Sequence, residues 1–201
     1  MDPSAETIRL LDLMPASGRM MTKLVSKPQQ STPIESPFPM PWATNRPIYI
    51  NFDLWRRLSK PQRDMLLLRT VSWVLGVKWF KPDLYQGVAI AGVVGTLVEL
   101  VQGDAVGILA AGALTSLAGA QIWRITRRTE TEVAADEAAL QVAQRRGYRE
   151  TEAASALVQA IEAVAKIERR NLNFSELIRT QNLKAIAGIS PIGIPEEGIR
   201  E

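Results

Sequence analysis

The feature that most constrains this chain is a long apolar stretch at residues 84–123. It consists of two apolar runs, 84–101 and 105–123, which are separated by only three residues. A helix of roughly 18 residues, at about 1.5 Å per residue, is close to the ~30 Å hydrocarbon thickness of a bilayer. The stretch therefore predicts a two-helix transmembrane hairpin, and Gly103 permits the tight turn between its helices.

Aromatic and basic residues flank both ends of this stretch. In a hairpin the two ends meet at one membrane face, where aromatic rings favour the headgroup layer and basic side chains favour the cytoplasmic side. We therefore expect an integral membrane protein with both termini in the cytoplasm and the lipid bilayer as a partner. The predicted membrane-interface residues are Trp79, Phe80, Tyr85, Trp123, Arg124, Arg127 and Arg128. The alternative is a Gly/Ala-rich helical pair buried inside a soluble helical protein.

The remainder of the chain predicts a mainly α fold. Capping-box spacings precede three of the expected helices, at Ser59 and Gln62, Thr129 and Glu132, and Asn173 and Glu176. The predicted helices are 60–75, 129–146, 151–169 and 174–188, and the alternating segment 48–52 predicts one short strand. The predicted divisions are an arm (1–47), a strand and capped helix (48–83), the hairpin (84–123), a cytoplasmic helical domain (124–188) and an irregular tail (189–201).

The N-terminal arm is rich in proline, because eight of the 12 prolines lie in residues 1–47. Proline removes a backbone donor and fixes φ, so the arm is predicted to be extended and irregular. Residues 7–14 have the pattern of a short amphipathic helix. Phe38, Met40 and Trp42 are candidate anchors for a partner, although apolar side chains in such a segment can equally wrap onto their own domain.

The composition removes several classes of site. The chain has no cysteine and no histidine, so it lacks the thiolate and imidazole groups that most transition-metal sites use. We therefore expect no metal and no cofactor. The net charge of +3 is spread along the chain without a concentrated basic patch, which argues against nucleic-acid binding.

The order of the parts carries a resemblance to a known enzyme family. A capped helix, a two-helix hairpin, a basic stretch and then E-x-x-A-D at residues 132–136 resemble the core of the HtpX-type membrane zinc metallopeptidases. In that family an H-E-x-x-H helix supplies two zinc ligands and the general-base glutamate, and the glutamate of the later motif is the third ligand. The resemblance implies a metallopeptidase-like helical domain.

Placed residue by residue, the resemblance puts Arg69 and Trp73 at the two histidine positions and Thr70 at the catalytic glutamate. None of these side chains binds zinc or acts as a base near neutral pH. Glu132 and Asp136 retain the second motif, so the site is predicted to be degenerate and inactive. We hypothesise that Arg69 and Glu132 form an ion pair in place of the metal; the alternative is that Glu132 only caps a helix and Arg69 is solvated.

A second resemblance covers more of the chain. The segments LMPASGRM, INFDLWRRLSKPQRD, LVELVQGDAVG and NFSELIRTQNLKAIAG resemble an uncharacterised cyanobacterial membrane-protein family. This resemblance implies a location in a thylakoid or plasma membrane. It implies no particular activity.

These patterns together predict a non-catalytic, membrane-anchored protein that binds, scaffolds or helps to assemble an unidentified membrane-protein partner. Small residues spaced four apart in the apolar stretch would also allow self-association into a homo-oligomer. Two alternatives stay open. One is a soluble helical interaction protein with the hairpin buried, and the other is an enzyme that uses a carboxylate and arginine site.

Overall fold

The fold is taken from a computed structural model that describes residues 2–39, 45–76 and 129–189. The described residues up to Gly76 and from Glu132 onward belong to one unit of the chain. The described ranges contain seven α-helices, namely α1 (Pro3–Leu13), α2 (Ala16–Met21), α3 (Phe52–Trp55), α4 (Lys60–Gly76), α5 (Thr129–Arg145), α6 (Glu150–Ile167) and α7 (Phe174–Ile186).

Side-chain caps explain where two of the long helices begin. Before α4, the backbone amide of Ser59 donates to Oε1 of Gln62 at 2.9 Å. At α7 the capping is reciprocal, because the amide of Glu176 donates to Asn173 Oδ1 and the amide of Asn173 donates to Glu176 Oε2, both at 2.9 Å. Such bonds satisfy amides that have no partner inside the helix. The four predicted helices are confirmed to within two residues at each end.

A small three-stranded sheet packs beside the helices. Its strands are β1 (Thr22–Ser26), β2 (Ile34–Glu35) and β3 (Arg46–Ile50), in the order β1-β3-β2. β1 pairs with β3 in parallel and β2 pairs with β3 antiparallel. The strand predicted at 48–52 is therefore β3, shifted by two residues, and its partners come from the segment that precedes it.

The proline-rich arm is not irregular over its described residues. Residues 2–39 contain α1, α2, β1 and β2. The side chain of Asn51 holds the β1–β2 connection, because its Nδ2 donates to the carbonyl oxygens of Pro28 and Gln30 at 2.8 Å each. The prediction of one strand and an irregular arm is thus wrong, because proline density says nothing about long-range bonds to Asn51 and β3.

Helix α4 lies between two hydrophobic clusters. Met65 and Leu68 pack in one cluster with α5, α6 and Leu183 of α7. Leu67 and Val71 pack in the other, with α1, β3 and Trp55. A helix that buries apolar residues on opposite sides occupies the interior of its unit. Elements from both halves of the described chain are therefore organised around α4.

The described residues do not support the predicted membrane fold. Among residues 2–39, 45–76 and 129–189, no helix combines the length and the apolar composition needed to cross a bilayer. The longest of these helices, α6, carries four charged residues, Glu150, Glu152, Glu162 and Lys166, and charges are costly inside hydrocarbon. This finding overturns the predicted transmembrane fold and the predicted location in a thylakoid or plasma membrane. The stretch 84–123 itself lies outside the described residues.

Candidate functional site

Four charged side chains from three helices meet beside α4. Glu132 and Asp136 lie four residues apart on α5 and therefore share one face of that helix. Arg69 comes from α4 and Arg179 from α7. These four residues, Arg69, Glu132, Asp136 and Arg179, are called the ion-pair cluster below.

Each carboxylate of the ion-pair cluster contacts both guanidinium groups. Arg179 binds Asp136 through two parallel hydrogen bonds, from Nε to Oδ2 at 2.7 Å and from Nη2 to Oδ1 at 2.8 Å. Arg69 forms an ion pair with Glu132 through Nη2 and Oε2. The two cross contacts are longer, at 3.7 Å from Arg69 Nε to Asp136 Oδ1 and from Arg179 Nη1 to Glu132 Oε2. The hypothesised contact between Arg69 and Glu132 is therefore present.

The cluster is most deeply buried at its Asp136 end. The side chain of Asp136 is 1% exposed and that of Arg179 is 8% exposed, whereas Arg69 and Glu132 are 19% and 22% exposed. A buried charge without a partner is strongly unfavourable, and a bidentate arginine–carboxylate pair is the geometry that best compensates it. The cluster contains two cations and two anions, so it is neutral as a unit.

Burial also changes the acidity of Arg69. Desolvation, and then the neighbouring Arg179 guanidinium, lower the pKa of Arg69 to about 9, while Asp136 and Glu176 act in the opposite direction. Arg69 therefore stays protonated at neutral pH. Its charge is retained because carboxylates face it from α5 and α7.

The two other positions of the degenerate site face different surroundings. Thr70 is buried, and its hydroxyl donates to the carbonyl oxygen of Leu66 at 2.8 Å. Trp73 packs edge-on against Phe38, with ring centroids 6.3 Å apart and an interplanar angle of 73°. The buried Nε1 of Trp73 has no hydrogen-bond partner within the described part of the chain. Neither residue supplies a base or a metal ligand.

Phe38 therefore contacts its own chain through Trp73. The other two candidate anchors, Met40 and Trp42, lie outside the described residues. The same is true of all the predicted membrane-interface residues, which are Trp79, Phe80, Tyr85, Trp123, Arg124, Arg127 and Arg128.

Sequence reasoning did not identify Arg179 as a member of the cluster. The signal was its spacing, because Arg179 lies four residues before the fully buried Leu183 and so occupies the inward face of α7. A basic residue on the apolar face of a helix requires a buried acidic partner. Asp136, on the inward face of α5, is that partner.

The cluster has the chemistry of a structural ion pair. Both oxygens of Asp136 accept hydrogen bonds from Arg179, and Oε2 of Glu132 is paired with Arg69. Within residues 2–39, 45–76 and 129–189, no group of three or more acidic side chains is arranged to hold a metal ion. A carboxylate engaged in this way is a poor candidate for a general base or a zinc ligand.

A family described as "Protein of unknown function (DUF3318)" matches residues 8–148, which is more than half of the 201 residues. No curated protein and no solved structure matches the chain. The matched range includes Arg69, Glu132 and Asp136, whereas Arg179 lies beyond its end.

Proposed function

The chain belongs to this family of unknown function, and we propose that it is a non-catalytic helical interaction protein built on a metallopeptidase-like scaffold. The observation that carries the proposal is the pairing of Glu132 with Arg69. The resemblance assigns Glu132 the place of a zinc ligand and Arg69 that of a histidine. The guanidinium of Arg69 can only donate hydrogen bonds, so it binds the Glu132 carboxylate and keeps a metal cation away from it.

The adjacency of these two residues also supports the ancestry. Arg69 and Glu132 are 63 positions apart in the sequence and lie on different helices, α4 and α5. A metallopeptidase-like scaffold requires contact between these two positions, since both would hold one metal ion. The same pairing disfavours an enzyme that uses a carboxylate and arginine site, because three of the four carboxylate oxygens of the cluster are already engaged.

The catalytic half of the proposal is tested with the full chain, zinc and an unfolded protein substrate such as casein. We expect neither saturable zinc binding by calorimetry nor zinc-dependent cleavage. Glu137, an exposed residue on α5, provides the matched control. Zinc-dependent cleavage that Glu132→Gln abolishes and Glu137→Gln preserves would overturn the proposal.

The ancestry is tested by restoring the missing ligands. A variant with Arg69→His, Thr70→Glu and Trp73→His recreates H-E-x-x-H on α4, with its first histidine at the position that contacts Glu132. We expect this variant to gain zinc binding, and we expect the gain to disappear when Glu132→Gln is added. A folded triple variant that binds no zinc contradicts the metallopeptidase-like scaffold.

The interaction half is tested by affinity purification of the tagged full chain from the cells in which it is made, followed by cross-linking and mass spectrometry. We expect one protein to be recovered in a fixed ratio with the chain, and cross-links to join that protein to the described helices. Recovery of the chain alone, at native expression levels, contradicts an interaction role.

A further inference from the structure

An open pocket lies among α1, the start of α4 and the α5–α6 connection. Its volume is about 510 Å³, within the range of about 300–1,000 Å³ that is common for small-molecule sites. Its lining includes six charged side chains, which are Arg9, Asp12, Lys60, Asp64, Arg146 and Glu152.

Two of these six charged residues, Arg9 and Asp64, form an ion pair with each other. Asp64 is 2% exposed and accepts hydrogen bonds from Arg9 Nη1 at 2.5 Å and from the Tyr148 hydroxyl at 2.7 Å. The remaining nitrogens of Arg9, Nε and Nη2, each donate to Glu6 at 2.8 Å. Burial, reinforced by the hydrogen bond to Asp64, raises the pKa of Tyr148 to about 12, so its phenol is neutral at physiological pH.

A third charge is also engaged. Glu152 forms an ion pair with Arg149, which lies beside the pocket lining and is 80% exposed. Within the described ranges, the side chains of Lys60 and Asp12 form no hydrogen bond or ion pair, and Arg146 uses only Nη2, which donates to the carbonyl oxygen of Met14 at 2.7 Å. The pocket therefore presents two available cations, Lys60 and Arg146, and one available carboxylate, Asp12.

Lys60 also lies at a helix end that favours an anion. Lys60 is the first residue of α4, where the unpaired amides and the helix dipole already favour negative charge. The first turn of α4 contains no acidic residue. A lysine in this position is unfavourable by itself and becomes favourable when an anion lies beside it.

We propose that this pocket binds a small molecule through a phosphate or carboxylate group held between Lys60 and Arg146. Lysine supplies a mobile point charge, and the unused nitrogens of the arginine supply directional donors. The neutral Tyr148 and the paired Asp64 line the pocket without opposing the anion, and Asp12 is the one available carboxylate that opposes it. None of the residues that line the pocket belongs to the ion-pair cluster, so this proposal is independent of the cluster.

The experiment is a titration of the ¹⁵N-labelled full chain, followed by NMR at constant ionic strength. Inorganic phosphate and citrate are the two anionic probes, and glucose is the neutral control. We expect saturable shifts of the Gly147 and Tyr148 amides with at least one anion and none with glucose. Saturation by phosphate alone assigns a phosphate group, and saturation by citrate alone assigns a carboxylate group.

Substitutions then locate the site. Lys60→Gln and Arg146→Gln should each weaken binding about tenfold, as expected for the loss of one hydrogen bond to a charged group. Arg145→Gln removes the same charge from the exposed residue next to Arg146, outside the lining, and it should change Kd by less than about twofold because exposed charges are screened. Lys60→Gln removes no hydrogen bond or ion pair within the described residues. We therefore expect this variant to fold as the wild type does, so that a loss of binding reports on the site itself.

Two results would overturn the proposal. One is the absence of saturable shifts with both anions. The other is an equal loss of binding in Lys60→Gln and Arg145→Gln, which would reflect net charge alone. Neither result bears on the zinc experiments, so the two proposals fail separately.

Discussion

Arg179 on α7 donates hydrogen bonds to both carboxylate oxygens of Asp136 on α5, at 2.7 and 2.8 Å. This pair is the most deeply buried part of the ion-pair cluster. Arg69 on α4 extends the pair to Glu132. The cluster thus ties together three helices that are distant in sequence. Because both of its carboxylates are buried or half-buried and paired with arginine, removal of one partner is expected to destabilise the fold.

Removing one partner of the buried pair should be strongly destabilising. Arg179→Ala leaves Asp136 charged, buried and without its bidentate donor, and the expected loss in unfolding free energy is about 3–5 kcal/mol. Lys184→Ala is the control, because Lys184 lies on the same helix in a half-exposed pair with Glu162. Urea unfolding followed by circular dichroism measures both variants. A loss for Arg179→Ala no greater than that for Lys184→Ala would refute the assignment.

The buried carboxyl of Glu6 should make the unfolding free energy depend on pH in the acidic range. Hydrogen bonds from Arg9, aided by Trp55, hold the pKa of Glu6 below its ordinary value of 4.5, against the opposing effect of burial. A carboxyl with a lowered folded pKa stabilises the fold above its unfolded pKa, and this contribution is lost as pH falls through the folded pKa. The stability advantage of the wild type over Glu6→Gln should therefore be present at pH 7 and shrink below about pH 4.5.

Urea unfolding of both proteins at pH 7, 5 and 3 measures this difference. Glu137→Gln, at an exposed position of α5, controls for the general loss of a carboxylate. An advantage of the wild type over Glu6→Gln that is unchanged at pH 3 is incompatible with the ionised network of Glu6 and Arg9.

Gly18 allows α2 to approach α4 closely. A Cβ atom at this position would lie 2.8 Å from Val71 Cγ1 and 3.4 Å from Pro15 Cδ. Gly18→Ala should therefore destabilise the fold by about 1–3 kcal/mol, in spite of the higher helix propensity of alanine. At Gly76, the last residue of α4, an added Cβ meets no atom of the described residues within 4 Å, so Gly76→Ala should be neutral or slightly stabilising. Thermal unfolding that ranks the two variants in the reverse order would contradict this packing.

The helices of the described chain were predictable because their signals are local. The Asn173 and Glu176 capping box and the positive-φ glycines Gly147 and Gly188 mark helix ends within a few residues of sequence. The contact between Arg69 and Glu132 was predictable for another reason, since it follows from a resemblance of motif order and not from local propensity.

The remainder depends on contacts that are distant in sequence. β1 and β2 are short, and they are stabilised by pairing with β3 residues that lie 14 to 24 positions away in the sequence. No local sequence pattern predicts such pairing. The membrane-spanning interpretation relied on the length of an apolar stretch and on the aromatic and basic residues that flank it. It is withdrawn because no described helix has the length and composition to cross a bilayer. Arg179 was missed because helix α7 is only weakly amphipathic in its pattern, and a single inward arginine interrupts that pattern.

The central claim is that a structural ion pair occupies the position that the resemblance assigns to a metal ion, and a double-mutant cycle on Arg69 and Glu132 tests it most directly. The unfolding free energies of Arg69→Ala, Glu132→Ala and the double variant are measured with urea at neutral pH. The exposed pair Arg149 and Glu152 provides the control cycle. We predict a coupling energy of about 0.5–3 kcal/mol for Arg69 and Glu132, and no measurable coupling for the exposed pair. Additive effects of Arg69→Ala and Glu132→Ala would contradict the account.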